Sequence, residues 1–259
     1  MSAAVNDPRS FRSRFAAGER LAGTFIKTPT THGIEILGAV GYDFVVVDAE
    51  HAPFDRAAID VCLLAARAAG TAGLVRVPDA SAAAVGNALD CGAAGVLVPH
   101  VASAQRARDM VAAGRFRGGR RGFSGSPRSS GYGAVPLARS VDEQDRSTTL
   151  IAMIEDVEAL DVIDEIAAVD GLDGLFIGRA DLAVALGAAG SGAEPVVAAV
   201  RRICTAGRAA GKPICVMVGD ASEAAPFAEL GATAFIVSSD QGFMRKAGAA
   251  ALKELAALK

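Results

Sequence analysis

Short β-branched runs alternate along this chain with Ala-rich segments of helical length, most of them closed by glycine. An apolar run without polar interruption is a strand buried on both faces, which is what a parallel sheet requires. Strands are expected at 24–27, 44–48, 73–77, 95–98, 149–154, 174–177, 214–216 and 234–237. Helices are expected between them at 33–40, 55–69, 81–90, 103–113, 156–169, 194–210 and 222–230, with a terminal helix over 241–258. Asp90-Cys91-Gly92-Ala93 and Glu229-Leu230-Gly231-Ala232 repeat one helix-to-strand ending, glycine supplying the left-handed residue that stops the helix. Eight strand–helix units in 259 residues fit an α/β fold of the TIM (β/α)8 type. A doubly wound open sheet would carry a Gly-rich phosphate turn after its first strand. Lys27-Thr28-Pro29-Thr30-Thr31 has no glycine, so one barrel domain over 1–259 is the preferred reading.

Composition narrows the function classes. No stretch offers 18 unbroken apolar residues, so a membrane span is not expected. The stretch from Ser2 to Arg20 is of mixed polarity and has no apolar core of a secretory leader. A formal net charge of −3 argues against general nucleic-acid affinity. Cys62, Cys91, Cys204 and Cys215 lack paired metal-type spacing and read as buried thiols of a cytoplasmic protein. There is no Gly-x-Ser-x-Gly elbow and no Walker loop. The segment 115–147 interrupts the rhythm with Gly118-Gly119-Arg120-Arg121-Gly122-Phe123 and Gly131-Tyr132-Gly133. It is expected to be an ordered functional loop over the barrel mouth rather than a disordered insertion. Its arginines lack the aromatic interleaving of a nucleic-acid surface.

Chemistry in parallel α/β folds sits at the carboxyl ends of strands. Val45-Val46-Val47 runs into Asp48-Ala49-Glu50-His51-Ala52-Pro53 there. Ile154 is followed by Glu155, and Phe176-Ile177-Gly178-Arg179-Ala180 by Asp181. Two carboxylates on adjacent strand ends form a site for a hard cation such as Mg²⁺ or Mn²⁺, although helix capping alone would account for either. His51 has the unperturbed pKa for proton transfer, or is a capping or surface histidine. Arg76, inside Leu74-Val75-Arg76-Val77, needs an anionic partner, either a structural carboxylate or a substrate oxyanion. His100 could line the mouth, and His32 more readily starts a helix. Lys27 is the lysine placed where a Schiff base could form.

Taken together, Asp48-Ala49-Glu50-His51-Ala52-Pro53, Val75-Arg76-Val77-Pro78, Leu97-Val98-Pro99, Ile154-Glu155 and Phe176-Ile177-Gly178-Arg179-Ala180-Asp181-Leu182 resemble the class II, metal-dependent pyruvate aldolases of the citrate lyase beta/aldolase superfamily. The resemblance, typified by the 4-hydroxy-2-oxoheptanedioate aldolases, runs from Gly23 to about Met244. It implies a barrel of the phosphoenolpyruvate/pyruvate-binding type, assembled as a trimer or hexamer with the last helix exchanged between subunits. It implies cleavage or formation of 4-hydroxy-2-oxo acids, giving pyruvate or a close analogue such as hydroxypyruvate plus an aldehyde. Glu155 and Asp181 would hold the divalent ion, with Co²⁺, Zn²⁺ or Ni²⁺ as possible substitutes for Mg²⁺ or Mn²⁺. Arg76 would steady the enolate, His51 would move the aldol proton, and Asp48 would orient that histidine or a water. Gly178, Ala180 and Asp181 would hold the 2-oxo acid, with Phe25, Met217 and Val218 lining the substrate. Asp90 matches an aspartate paired with the histidine, but on the far barrel face it could act only across a subunit contact. The family often has Trp at Phe25, Gln at Met153 and Pro at Arg179; these departures leave the ligand set intact and bear on the acceptor. An acyl-CoA lyase with the same chemistry, its nucleotide held by arginines of 115–128, and a non-catalytic 2-oxo-acid-binding barrel are the competing readings.

Overall fold

A computed structural model of the chain describes residues 11–258; residues 1–10 and 259, which include part of the Ser2–Arg20 stretch and both ends of the expected domain, lie outside it. The strands β1 (Leu21–Ile26), β2 (Phe44–Asp48), β3 (Ala72–Arg76), β4 (Gly95–Val98), β5 (Thr149–Ile154), β6 (Gly174–Ile177), β7 (Ile214–Val218) and β8 (Ala232–Ser239) are all parallel and pair in chain order. β8 closes on β1, which makes a complete eight-stranded barrel. Before β1 stands α1 (Phe11–Ala16). α2 (Thr31–Val40), α3 (Arg56–Ala68), α4 (Ala82–Asp90) and α5 (Ala104–Gly114) come after the first four strands. α6 (Leu137–Ser147) leads into β5, and α7 (Val157–Asp161) and α8 (Ile163–Ala167) leave it. α9 (Arg179–Ala185) and α10 (Glu194–Ala209) join β6 to β7, α11 (Ala221–Glu229) comes after β7, and α12 (Asp240–Ala256) ends the chain. Among the described residues no helix is long and apolar enough to cross a membrane.

The period of two along a strand sorts each run between two cores. Val45 and Val47 point outward into the layer shared with the helices, whereas Phe44 and Val46 fill the barrel. Leu74, Ile151, Met153, Phe176, Cys215 and Ile236 are inward residues of the same kind. Phe11 and Phe15 of α1 join this interior core, the Phe11 ring meeting Phe44 at 5.2 Å. Continuing the alternation one step past the apolar filling makes Lys27, Asp48, Arg76, Glu155, Gly178 and Met217 the next inward positions. All six fall at one end of the barrel, so the pleat itself assembles a polar rim above an apolar interior.

Two expectations fail. The segment 115–147 does not cover the mouth. It lies between α5 and β5, so chain direction puts it at the opposite end, where strands begin. There Arg115 donates to the Thr148 carbonyl at 2.8 Å and pairs with Asp173 at 2.8 Å, just before β5 and β6 start. Arg121 pairs with Asp90 at the end of α4, and Arg128 with Asp60 on α3. Nor is the segment all loop, since it holds a 3₁₀ turn at Arg128–Gly133 and α6. The expected helix over 156–169 is two short helices, broken where Val162 leaves helical geometry (φ −116°, ψ 17°). The sequence also concealed α1, because its buried Phe11 and Phe15 lie in a stretch that reads as polar. Little of α12, the helix expected to be exchanged between subunits, is covered by the rest of the chain. Of its residues only Asp240 is buried, while Met244, Leu252 and Leu255 stand exposed.

Arg115 ties three backbone carbonyls and Asp173 together under the barrel floor. Arg115→Met leaves Asp173, its side chain 7% exposed, with Arg12 as its remaining cation. Denaturant unfolding is expected to show a loss of about 3 kcal/mol, the cost of breaking a buried pair. A change under about 0.5 kcal/mol, typical of surface substitutions, would show that this segment is not anchored there.

Candidate active site

A cavity of about 330 Å³ opens at the carboxyl end of the barrel. Phe25, Met153 and Phe176 form its floor; Lys27, His51 and Arg76 line one side, and 178–181 with Met217 and Val218 the other. Eight sequence-predicted residues (Phe25, His51, Arg76, Gly178, Ala180, Asp181, Met217 and Val218) are thus brought together.

Asp48 organises the near side. It is wholly buried and receives the Arg76 fork, Nε on Oδ1 at 2.9 Å and Nη2 on Oδ2 at 2.6 Å. The backbone N–H of His51 donates to Oδ1 at 3.1 Å, and Lys27 Nζ stands 3.1 Å from Oδ2. Burial raises the Asp48 pKa, but Arg76, the His51 N–H and Lys27 outweigh it, and the net shift is downward. The partner of Arg76 is therefore a structural carboxylate, and the guanidinium still faces the cavity, 4.9 Å over the Phe25 ring. Glu50, in the turn that leaves β2, faces Arg76 Nη1 at 3.3 Å. The His51 ring is half exposed, with Nε2 3.6 Å from Glu50 Oε2. Glu50 Oε2 is buried with no hydrogen bond among the described residues.

The other side is acidic. Glu155 is 3% exposed and accepts from the backbone N–H of His100 at 2.8 Å. Burial lifts the Glu155 carboxyl; the His100 N–H and imidazole oppose this, Asp181 and Glu50 add to it, and the pKa stands at about 7. Gly178 makes the approach of Glu155 to α9 possible, since a Cβ there would lie 2.6 Å from Glu155 Cβ and 2.9 Å from its Oε2. Asp181 sits in the first turn of α9 and lines the cavity. His100, which the sequence only weakly marked, adopts a left-handed backbone (φ 54°) and aims Nδ1 at Asp156, 3.1 Å away. Partial burial pulls its pKa down, but Asp156, Glu155 and Glu50 hold it above the usual histidine value.

Among the described residues no three His, Cys, Asp or Glu side chains form a ready-made metal cage. The donor set nonetheless fits a hard cation. Glu155 is buried among other carboxylates with no basic side chain closer than His100, and two protein carboxylates leave places for water and substrate oxygens. Asp90 is not part of this constellation: it ends α4 and pairs with Arg121 at 3.2 Å on the far face. Arg179, where a substrate contact was open, is occupied by Glu223 at 2.7 Å and by the Met217 carbonyl, its guanidinium 4.6 Å over the Phe227 ring. The arginines of 115–128 lie at the other end of the barrel, so they give a nucleotide no contact at this cavity.

Asp48→Asn leaves two cations beside a neutral amide, and a loss of about 3–5 kcal/mol in unfolding free energy is expected. A carboxylate with a lowered native pKa stabilises the fold above its unfolded value, near 3.8, and the contribution fades as pH falls through the native value. The wild-type stability curve is therefore expected to drop more steeply below that pH than the curve of Asp48→Asn. Parallel curves would show that Asp48 is not held ionised by Arg76.

Known proteins resemble the chain throughout its length. The family model described as HpcH/HpaI aldolase/citrate lyase matches residues 21–247. A 5-keto-4-deoxy-D-glucarate aldolase of Klebsiella pneumoniae is 34% identical over 244 residues, covering 93% of this chain and 94% of that protein. The crystal structure of a family member from Burkholderia cenocepacia superposes with a TM-score of 0.90 at 30% identity, covering 95% and 99% of the two chains. That of the citrate synthase SbnG gives 0.86 at 31% identity, covering 95% and 97%. The chain belongs to the HpcH/HpaI aldolase/citrate lyase family.

Proposed function

We propose that this aldolase-family chain cleaves or forms 4-hydroxy-2-oxo acids, yielding pyruvate or hydroxypyruvate and an aldehyde, with Mg²⁺ or Mn²⁺ at Glu155 and Asp181. The observation that carries the reading is the electrostatic division of the cavity. One side balances its charges internally, through Asp48, Arg76, Lys27 and Glu50. The other buries Glu155 beside Asp181, with its carboxyl raised to about 7. A divalent ion held by Glu155 and Asp181 would neutralise that excess and supply Lewis-acid stabilisation to negative charge on a bound 2-oxo acid.

The chain's own residues supply the rest. Arg76, its Nε and Nη2 clamped by Asp48, is a preorganised cation for the oxygen that gains charge as the carbon–carbon bond breaks. The first N–H groups of α9 at Ala180 and Asp181 begin the helix without intrahelical acceptors and suit the acid group of the 2-oxo acid. His51, half exposed at the rim with its backbone fixed by Asp48, takes the hydroxyl proton in cleavage and returns it in synthesis. Phe25, Met153 and Phe176 keep the floor dry beneath these groups. The exposed Met244, Leu252 and Leu255 of α12 suit coverage by a second copy in a trimer or hexamer.

Pyruvate release from a 4-hydroxy-2-oxo acid is expected to require added Mg²⁺ or Mn²⁺ and to stop with EDTA. His51→Ala is expected to lower kcat by about 10²–10⁴, the range of general acid–base catalysis, while Mn²⁺ affinity stays at the wild-type value. Full turnover in EDTA would overturn the metal assignment; a His51→Ala variant with wild-type kcat would overturn the proton assignment.

A further inference from the structure

Between β6 and β7 the wall of the cavity is held by a side chain rather than by the sheet. β6 pairs with β7 as far as Ile177 and Val216, and there the ladder stops. β7 continues through Met217 and Val218, paired with β8 alone. Arg179, the first residue of α9, bridges that seam. Its Nη2 donates to the Met217 carbonyl at 2.6 Å and meets Glu223 Oε1 of α11 at 2.7 Å, and its guanidinium lies 4.6 Å over the Phe227 ring. Glu223 turns its other oxygen back to the end of β7, where Oε2 accepts from the Gly219 N–H at 2.5 Å.

Both elements joined here need an outside hold. α9 begins with Gly178 as its N-cap, so no side chain caps it. Ala180 and Asp181 in its first turn are exposed, and burial begins at Leu182. α11 buries none of its residues, and Pro226 inside it takes away a backbone donor. Elements with few buried apolar contacts open at low free energy. An exposed ion pair would do little against this. Arg179, however, is 13% exposed on its side chain and shares its charge with a carbonyl and a ring as well as with Glu223. The turn it steadies carries Asp181 and the first N–H groups of α9. Glu223 stands outside the residues that line the cavity.

We infer that Arg179 and Glu223 are positioning residues: their pair clamps α11 and the end of β7 to the first turn of α9, and so holds Asp181 and the N–H groups of Ala180 and Asp181 in place for the cation and the 2-oxo acid. The inference rests on the proposed aldolase reading and extends that site to a carboxylate behind its wall. Neither residue makes or breaks a bond. Arg179 acts through the turn it begins, and Glu223 acts through Arg179.

The test compares wild type, Arg179→Met, Glu223→Ala and Glu223→Gln as full chains, with two readouts. The first is hydrogen exchange without metal at the Leu182 amide, which donates to the Gly178 carbonyl at 3.0 Å across the first turn of α9. Exchange there is expected to be about tenfold or more faster in Arg179→Met and Glu223→Ala, the size of one charged hydrogen bond, with the strand amides unchanged. The second is calorimetric titration of Mn²⁺ with pyruvate present. The Mn²⁺ dissociation constant is expected to rise about fivefold or more in the same two variants, the low end of coupling between sites. Glu223→Gln keeps an acceptor for the Gly219 N–H and for Arg179, and is expected to restore most of both. Wild-type exchange at Leu182, or wild-type Mn²⁺ affinity in Glu223→Ala, would show a pair with no hold on the site and would overturn the inference with the aldolase reading intact. Faster exchange across all strands would mark a general loss of stability and would overturn it too. Wild-type protein that takes up no Mn²⁺ with pyruvate would remove the metal-dependent reading, and this inference with it.

Discussion

A strand buried on both faces leaves few places for a charge, and this barrel puts its inward charges one step beyond the last apolar layer. The pleat has no freedom here: once Phe44 and Val46 point inward, Asp48 does too, and the same holds for Arg76 beyond Leu74 and Glu155 beyond Met153. Each of these groups has to be compensated or be stabilised by something that binds. The site is thus a consequence of register, and a one-residue slip of any strand would turn its rim residue into the helix layer.

Compensation is uneven around the rim. Asp48 fills its acceptor positions with Arg76, Lys27 and the His51 N–H, which makes the β1–β3 side rigid and electrically closed. Across the cavity, Glu155 has a single short backbone donor and acidic neighbours. Gly178 allows this crowding, since any side chain there would meet the Glu155 carboxylate. A site with one rigid, charge-balanced side and one side where carboxylates outnumber the single imidazole of His100 suits a reaction in which an anionic substrate and a cation arrive together. Each then offsets a penalty that the other alone would leave.

Much of this was legible before any coordinates. The expected bounds of β2, β4, β5 and β6 coincide with the observed ones, because each is an apolar run stopped at once by a charge, a proline or a glycine. The site residues were legible for the same reason: a charge at the end of such a run is conspicuous. Glu50 stood in the same polar cluster as Asp48, yet its role needed the third dimension, as did that of His100, whose φ of 54° carries its N–H to Glu155. The segment 115–147 was misplaced because glycines and arginines mark an unusual stretch without saying on which end of the barrel it lies. Chain direction does say so, since the chain leaving a helix returns to the start of the next strand. The break at Val162 has no glycine or proline to announce it. The pairing of Arg179 with Glu223 depends on β6 and α11 becoming neighbours, which local sequence does not encode.

A divalent cation shared by Glu155 and Asp181 is what the proposed chemistry depends on most, and direct binding tests it without reference to turnover. Mn²⁺ titration followed by electron paramagnetic resonance is expected to show one site per chain, tightened by pyruvate and lost in Glu155→Gln and in Asp181→Asn alike. Wild-type protein that leaves Mn²⁺ free in solution, or single variants that bind it as wild type does, would contradict the account.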